Sequence, residues 1–475
     1  MLLANALAML AAVCPIDRAA QLSRTGPAIR DAEGCANPSF SAGFARVDIS
    51  PPVGHELSGY FDSRPASGVA DCVEANAVVI SDGTTRAMLV SCDLEQIKGL
   101  STRYRHQIEK ATGIPAKNVY IACTHSHTGP VVGKEKDAYE ISMDGTDSYD
   151  RTLGERLVAA AKDALADLAP AEILLGSVQV PGVAFIRRYI LDDGEVVTNP
   201  GSHLKGRLVG PAAKQDETLR VLRFRREGKG DIAVLGFATH ADNIGGTLVS
   251  ADWPGALRRE TERLLGGGMR CVFFNGCEGD SNNTPRPRPD IAALYAAHKD
   301  DRFWKKDHIG RKLAEGAVSI WNRLERCKPA PIFCLNRNVA VPVRKPTAEE
   351  LAKVEAGESL GRSPMISRVA AHRIRRMAKE PGELEIPVSV IVMPGVFVFA
   401  GLPGEPFMDF QRQVEASAAA KVTFLTCLTN GSYGYIPTEK AMREPGSSYE
   451  TTSTIFAPGS ADRLSAAIIE MISLK

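Results

Sequence analysis

The feature that most limits what this chain can fold into is an alternation of two kinds of apolar run. Short runs rich in Val, Ile, Phe and Ala, at 75–81, 87–92, 118–123, 171–180, 218–224, 232–239, 271–275, 388–394 and 396–400, read as strands. Between many of them lie segments with helical spacing, at 102–112, 151–168, 254–265, 309–324, 364–379, 406–419 and 461–474. Strands and helices that alternate in this way favour an α/β fold, with mixed central sheet(s) covered by helices. Two Pro/Arg-rich passages, 283–289 and 335–346, read as loops or crossovers, the second marking a candidate subdomain boundary.

At 475 residues and 44% hydrophobic content, the chain can bury a large core. Its 57 basic and 56 acidic residues leave a net charge of +1, without the basic excess that nucleic-acid binding usually needs. The ten cysteines show no CxxC spacing and sit mostly in apolar runs, where they read as small buried hydrophobes. Residues 1–39 read as a leader and linker, and residues 40–475 as one catalytic domain beginning near Phe40. Residues 2–13 have the length of a signal-peptide core, but no basic stretch precedes them and Asn5 interrupts them. An exported protein, periplasmic or secreted, and a cytoplasmic one with a frayed start both stay open. No later segment is long and apolar enough to span a membrane.

Two of the nine histidines, His125 and His127, follow the apolar run 118–123. On a strand, residues two apart point the same way, so both imidazoles are expected at the end of the strand. Imidazole is a common metal ligand, but a lone pair of histidines is a weak signal. Three other apolar runs end in polar, Gly-rich turns: one on His240, one at Gly276-Cys277-Glu278-Gly279-Asp280-Ser281-Asn282-Asn283, and one at Gly401-Leu402-Pro403-Gly404-Glu405. The remaining histidines, at 55, 106, 203, 298, 308 and 372, fall in loops or on charged helices and read as solvated, with His55 and His203 the only two among them that stay candidates for a further role.

Taken in order, these stretches resemble the neutral/alkaline, non-lysosomal ceramidases. The resemblance starts at 42–54 (AGFARVDISPPVG), continues through Gly59-Tyr60, Ser91-Cys92-Asp93-Leu94 and 122–130 (ACTHSHTGP), and reaches 185–188, 238–240, Gly279-Asp280, 402–405 and Gly434-Tyr435. It implies a ceramidase-like catalytic domain with a zinc ion (Zn2+) held by His125, His240, Glu405 and Tyr435. It further implies that His127, Arg187 and Tyr449 line the zinc and polarise or orient a carbonyl. Arg188 adjoins Arg187, and either could be the clamp.

Two departures bear on the substrate. Where the family carries the serine of Gly-Asp-x-Ser-Pro-Asn, this chain has Asn282, with Ser281 beside it. An amide cannot be a nucleophile, although it can donate to an oxyanion; Ser281, one step along, faces another way on a strand or turn, and with Arg188 it is kept as a candidate substrate contact. Family members also add a C-terminal β-sandwich domain, whereas this chain stops at Lys475, so it reads as a relative lacking that domain.

The function expected from the resemblance is zinc-dependent hydrolysis by metal-bound water of a carbonyl compound, foremost a linear amide such as a lipid or small-molecule N-acyl amine, with a place in sphingolipid or lipid metabolism. The alternatives are a zinc hydrolase of a non-lipid N-acyl compound, ester or lactone, and a non-catalytic metal-binding relative. The basic amphipathic segment 366–379 offers peripheral membrane contact, against the reading of a solvated surface helix.

Overall fold

The structure is a computed structural model that describes residues 40–133, 146–286, 288–360, 364–446 and 448–473. The segment 2–13, the linker 15–38, Cys14 and Cys35 lie outside the described residues.

A nine-stranded mixed sheet forms the centre. Its order is Arg270–Asn275, Ile232–Phe237, Thr218–Arg226, Ala169–Gln179, Ser41–Asp48, Glu74–Ser81, Arg86–Cys92 and Val119–Cys123, with Glu325–Cys327 also paired to Ala169–Gln179. Inner pairs are antiparallel, and the outermost pair at each end is parallel. A parallel pair needs a crossover, and a helix supplies it in each case. Ser101–Thr112 leads into Val119–Cys123, and Asp252–Leu265 leads into Arg270–Asn275. In sheets of this kind, ligands gather beyond the carboxyl ends of the parallel strands, and here those ends lead into the histidine loops.

The two edges of this sheet approach each other. Ser91 Oγ donates to the carbonyl of Phe273, and Asn275 Nδ2 donates to the carbonyls of Thr124 (3.1 Å) and Thr239 (3.0 Å). A single buried amide thus joins the ends of three strands, one residue before His125 and one before His240. A second sheet of four strands, Phe333–Pro342, Glu383–Met393, Phe397–Gly401 and Val422–Thr426, shares a core with the first. Within that core Phe399 stacks on Phe424 and meets Phe274 edge-on. Helices cover the outer faces. Ser101–Thr112 and Thr146–Ala166 lie on one flank, Asp252–Leu265 and Trp304–Ile320 on another, and Met408–Ser417 and Ser460–Ser473 against the four-stranded sheet.

Behind the first histidine loop, Arg258 forks onto Asp93 with both side chains buried (2.8 and 2.5 Å). Burial pushes the Asp93 carboxyl up, and Arg258 opposes that shift. The next residue, Leu94, offers the carbonyl that receives the N–H of His125 (2.9 Å). A paired buried charge of this kind fixes the chain where the site begins, and breaking it would leave an uncompensated charge in the core.

Several expectations need correction. Most of 335–346 is not loop: residues 333–342 form a strand paired along its length with Glu383–Met393. Its apolar residues Phe333, Leu335, Val339 and Val341 keep period two, and Arg337 and the asparagines between them suit the edge of a sheet. The strands Ser41–Asp48 and Val422–Thr426 and the helix Ala348–Glu355, which starts on a Thr347–Glu350 capping box, add to the expected set. His55 is buried, with Nε2 3.0 Å from the carbonyl of Val131, whereas His203 is exposed. His298 and His308 are half-buried rather than solvated, stacked on the ring of Trp304. The apolar face of Pro364–Lys379 is covered: Ile374 and Met377 pack with Val354. That burial suits the surface-helix reading, because those side chains are not free to enter a lipid surface. No helix among the described residues is long and apolar enough to cross a membrane. Of the eight described cysteines all are free, and six are buried.

Candidate metal centre

His125 and His127 do not sit on the strand. They follow it, and His125 takes a left-handed conformation with φ of 66°. This turn, rather than strand alternation, brings the two rings together, with Nε2 atoms 3.1 Å apart. Backbone strain of this kind in a residue with a Cβ persists where the surroundings enforce it. Here they do: Ser126 bridges Ala241, the His127 N–H donates to the Ala241 carbonyl (3.1 Å), and the hydroxyls of Ser126 and Thr128 both donate to the Ser250 carbonyl. The loop after one strand is thereby pinned to the loop after another, more than a hundred residues away.

The result is a cluster in which His125, His240, Glu278 and Glu405 place one donor atom each within 4.8 Å of one another; His125, His127 and His240 form a second, overlapping group. Glu405 Oε2 lies 3.5 Å from Nε2 of both His125 and His240. This oxygen is buried and has no hydrogen-bond partner among the described residues. Donors about 2.1 Å from a tetrahedral ion stand about 3.4 Å from each other, so Glu405 keeps the spacing of a co-ligand to each imidazole. The far sides of the rings are also set for it. His125 Nδ1 lies 3.2 Å from the Glu95 carbonyl, and His240 Nδ1 lies 2.9 Å from the Glu278 carbonyl. Nδ1–H bonds to carbonyls leave the Nε2 lone pairs facing the cluster. An orphaned carboxylate oxygen between two such lone pairs fits a divalent cation.

Glu278 stands behind His240 rather than beside Glu405. Its Oε2 is 2.5 Å from His240 Nδ1, close enough for a strong charge contact but out of line for a hydrogen bond. Burial alone would raise the Glu278 carboxyl; the His240 and His125 imidazoles outweigh it and hold the group well below the usual carboxylate range. In turn, burial and Arg187 push His240 down, but the Glu278 carboxylate prevails and lifts it, so in the metal-free protein this ring favours a proton that a bound cation would replace. His127 goes the other way. Burial, helped by His125 and opposed by Asp242, takes it to about 4. Its Nδ1 is 3.7 Å from Asp242, which also accepts from the Tyr60 hydroxyl.

Arg187 closes one side. Its Nη1 is 3.2 Å from His240 Nε2, its Nη2 donates to the Gly279 carbonyl (2.7 Å), and its Nε lies 2.6 Å from Glu450 in a charge contact poorly aligned for hydrogen bonding. Burial works against its charge, and Tyr435, Glu450 and Glu405 more than compensate. Tyr435 faces Glu405 across a short parallel ladder, and its ring centroid lies 5.3 Å from the Arg187 guanidinium carbon. Burial and the Glu405 carboxylate push its phenol well up, so in the metal-free protein it is a neutral hydroxyl. The ring of Tyr449, partly exposed, meets Tyr435 edge-on at 5.6 Å.

Two expected contacts are not in the site. Arg188 points away, bonded to Glu444 (2.6 Å) and Ser448 (3.1 Å). Ser281 is fully buried, and its hydroxyl donates to Gln215 (2.8 Å). Their chain neighbours alternate to the other side: Arg187 and Asn282 both line a cavity of about 250 Å3 that opens on His240. Asn282 is anchored there through Nδ2 to Asn199 (2.9 Å) and through Oδ1 to the Thr284 N–H (2.9 Å). Sequence reasoning passes over Glu278, Asp242 and Asn275. Each lies within four residues of a strand end singled out above, and that proximity is the signal that could have found them.

Comparison with solved structures gives the same fold. The chain matches the crystal structure of neutral ceramidase from Pseudomonas aeruginosa with a TM-score of 0.69 and 18% identity, over 92% of this chain and 75% of that one. It matches a ceramidase complexed with C2 with a TM-score of 0.67 and 17% identity, over the same shares. A comparison with curated proteins finds no match. Residues 40–273 match the neutral/alkaline non-lysosomal ceramidase family, N-terminal region. Those residues supply both histidine loops, Arg187 and most of the sheet that aligns them, and over that stretch the chain matches the neutral/alkaline non-lysosomal ceramidase family.

Proposed function

We propose that the chain is a metal-dependent hydrolase of linear amides, with zinc held by His125, His240 and Glu405. The observation that carries this reading is the unpartnered Glu405 oxygen, 3.5 Å from both imidazole nitrogens. Two neutral imidazoles and a carboxylate are the donor set of a catalytic rather than a structural zinc site. When bound, the ion supplies water activation near neutral pH and polarisation of a carbonyl. Tyr435 is the fourth candidate donor, facing Glu405 across its ladder.

The protein's own groups supply the rest. Arg187 Nη1 lies 3.2 Å from His240 Nε2, the atom a cation would take. Occupation of the site therefore leaves this donor without its acceptor, facing the cavity, where it suits the carbonyl oxygen of a bound amide. His127, kept neutral by burial, is the imidazole within reach to carry a proton toward the leaving amine. Asn282 stands on the cavity wall as an amide donor and cannot serve as a nucleophile.

Stripping the protein with a chelator is expected to abolish hydrolysis of a fluorogenic N-acyl amide, and about one equivalent of zinc to restore it. Full activity in the stripped protein would overturn the reading. A glycine offers a second check on the ligand set. A Cβ at Gly279 would lie 2.3 Å from the Glu405 carbonyl oxygen, so Gly279→Ala must displace the strand that carries this ligand. Expected is a loss in zinc affinity of at least about tenfold with the circular dichroism spectrum retained. Wild-type affinity in that variant would remove Glu405 from the ligand set.

A further inference from the structure

The cavity beside His240 has an unusual wall for a lipid hydrolase. It is lined by Arg187, Asn199, His240, Asp242, Asn282, Asn283, Thr284, Arg286 and Lys305. None of these is an aliphatic side chain, and the one aromatic ring among them is the polar imidazole of His240. Small-molecule pockets are mostly apolar and commonly run from about 300 Å3 upward, so a polar cavity of about 250 Å3 has neither the lining nor the room for two long hydrocarbon chains.

The charges are unbalanced. Three lining residues are cationic, Arg187, Arg286 and Lys305, against one carboxylate, Asp242. Arg187 is matched by Glu450 from behind the wall, and Asp242 is taken by the Tyr60 hydroxyl on the His127 side. Arg286 and Lys305 have no such match. Arg286 donates to the carbonyl of Pro200 and pairs with no carboxylate among the described residues. Lys305 makes no hydrogen bond or ion pair with a described residue. Its nearest aromatic contact is the Tyr295 ring, at 5.3 Å, and Asp252 and Asp242 act on it only at longer range. Partial burial lowers the pKa of both cations, the sign of charges removed from water without full compensation. Lys305 is half-buried and Arg286 stands exposed at the rim, and neither is paired with a carboxylate among the described residues, so a ligand anion supplies the charge-assisted partner both lack.

We propose that Arg286 and Lys305 form an oxyanion-binding subsite, and that the substrate is a compact N-acyl amine carrying a carboxylate near the scissile amide, an N-acyl amino acid rather than a sphingolipid. Asn199, Asn282 and Thr284 supply neutral hydrogen-bonding groups along the same wall. The reaction is hydrolysis. The amide C–N bond breaks, water gives its oxygen to the acyl carbon and a proton to the nitrogen, and the products are a carboxylic acid and a free amino acid. The substrate class rests on the amide-hydrolase reading above, whereas the anion subsite stands on the cavity alone.

The test uses the full chain loaded with zinc and three probes: N-hexanoylglycine, its neutral carboxamide N-hexanoylglycinamide, and a short-chain ceramide. Turnover and calorimetric binding are measured for each. Expected in the wild type is a preference, in kcat/KM and in affinity, for the acid over the carboxamide of at least about tenfold, the scale of a charge-assisted hydrogen bond. In Lys305→Met/Arg286→Gln this ratio falls toward unity. Equal handling of acid and carboxamide by the wild type, a preference for ceramide, or an unchanged ratio in the variant would overturn the proposal. If the acid binds through the two cations but no amide is cleaved, the subsite stands and the hydrolase reading fails. If carboxamide and ceramide are cleaved and the acid is not bound, the hydrolase stands and the subsite fails. The wild-type arm decides the matter even if the variant does not fold.

Discussion

Replacing His125 and His240 together with alanine is expected to lower kcat/KM for an N-acyl amide by about a thousandfold or more, because a Lewis acid at such a site is worth several kcal/mol in the transition state. The double replacement is more informative than either single one. Glu405 lies 3.5 Å from both Nε2 atoms, so either imidazole alone, with Glu405 and the nearby His127, leaves a partial ligand set able to hold an ion weakly. Removing both leaves His127 and two buried carboxylates with no such geometry. The fold is expected to survive. Both loops are tied through other groups, Asn275 on the carbonyls of Thr124 and Thr239 and the Ser126 and Thr128 hydroxyls on Ser250. Steady-state rates alongside an unfolding curve check both halves of the prediction. Near wild-type turnover in a folded double variant would refute the metal-centred chemistry.

The second large effect concerns Arg187. Arg187→Met is expected to reduce kcat by about 10²–10³, the range seen when one oxyanion donor is removed, while bound zinc stays at its wild-type level. The single variant carries a stability penalty as well, because Glu450 is fully buried and would lose its cation. Breaking a buried pair from one side typically costs about 3–5 kcal/mol. Arg187→Met/Glu450→Gln removes the orphaned charge, so stability returns while the catalytic defect remains. If the double variant recovers activity along with stability, Arg187 is a structural residue and the carbonyl must be polarised elsewhere.

How much of this was legible in the sequence follows from what each signal depends on. Strands buried on both faces, such as Val119–Cys123 and Ile232–Phe237, announce themselves as continuous apolar runs. Their ends were also readable, because His125 and His240 break those runs with polar residues. The strand Phe333–Pro342 was hidden, since an edge strand tolerates Arg337 and its neighbouring asparagines, and these break the pattern that burial would impose. At the site, the individual loops could be read but not their meeting. The cluster exists because the sheet's edges close on each other through Asn275, a long-range contact that no local pattern encodes. The same limit explains Glu278. In the sequence it is one acid in a Gly-rich turn; in the fold it is buried behind His240 and sets that imidazole's charge. Where neighbours along the chain competed for one role, Arg187 with Arg188 and Asn282 with Ser281, the facing of each side chain separated them, and facing is a property of the assembled sheet.

The most direct test of the central claim is a crystal of the purified protein measured on both sides of the zinc absorption edge. The expected result is one anomalous peak per chain, between Nε2 of His125, Nε2 of His240 and the Glu405 carboxylate, about 2.0–2.2 Å from each. A zinc-equilibrated crystal with no peak there, or with its peak at a surface site, would contradict the assignment of these three residues as the ligands and the chemistry derived from them.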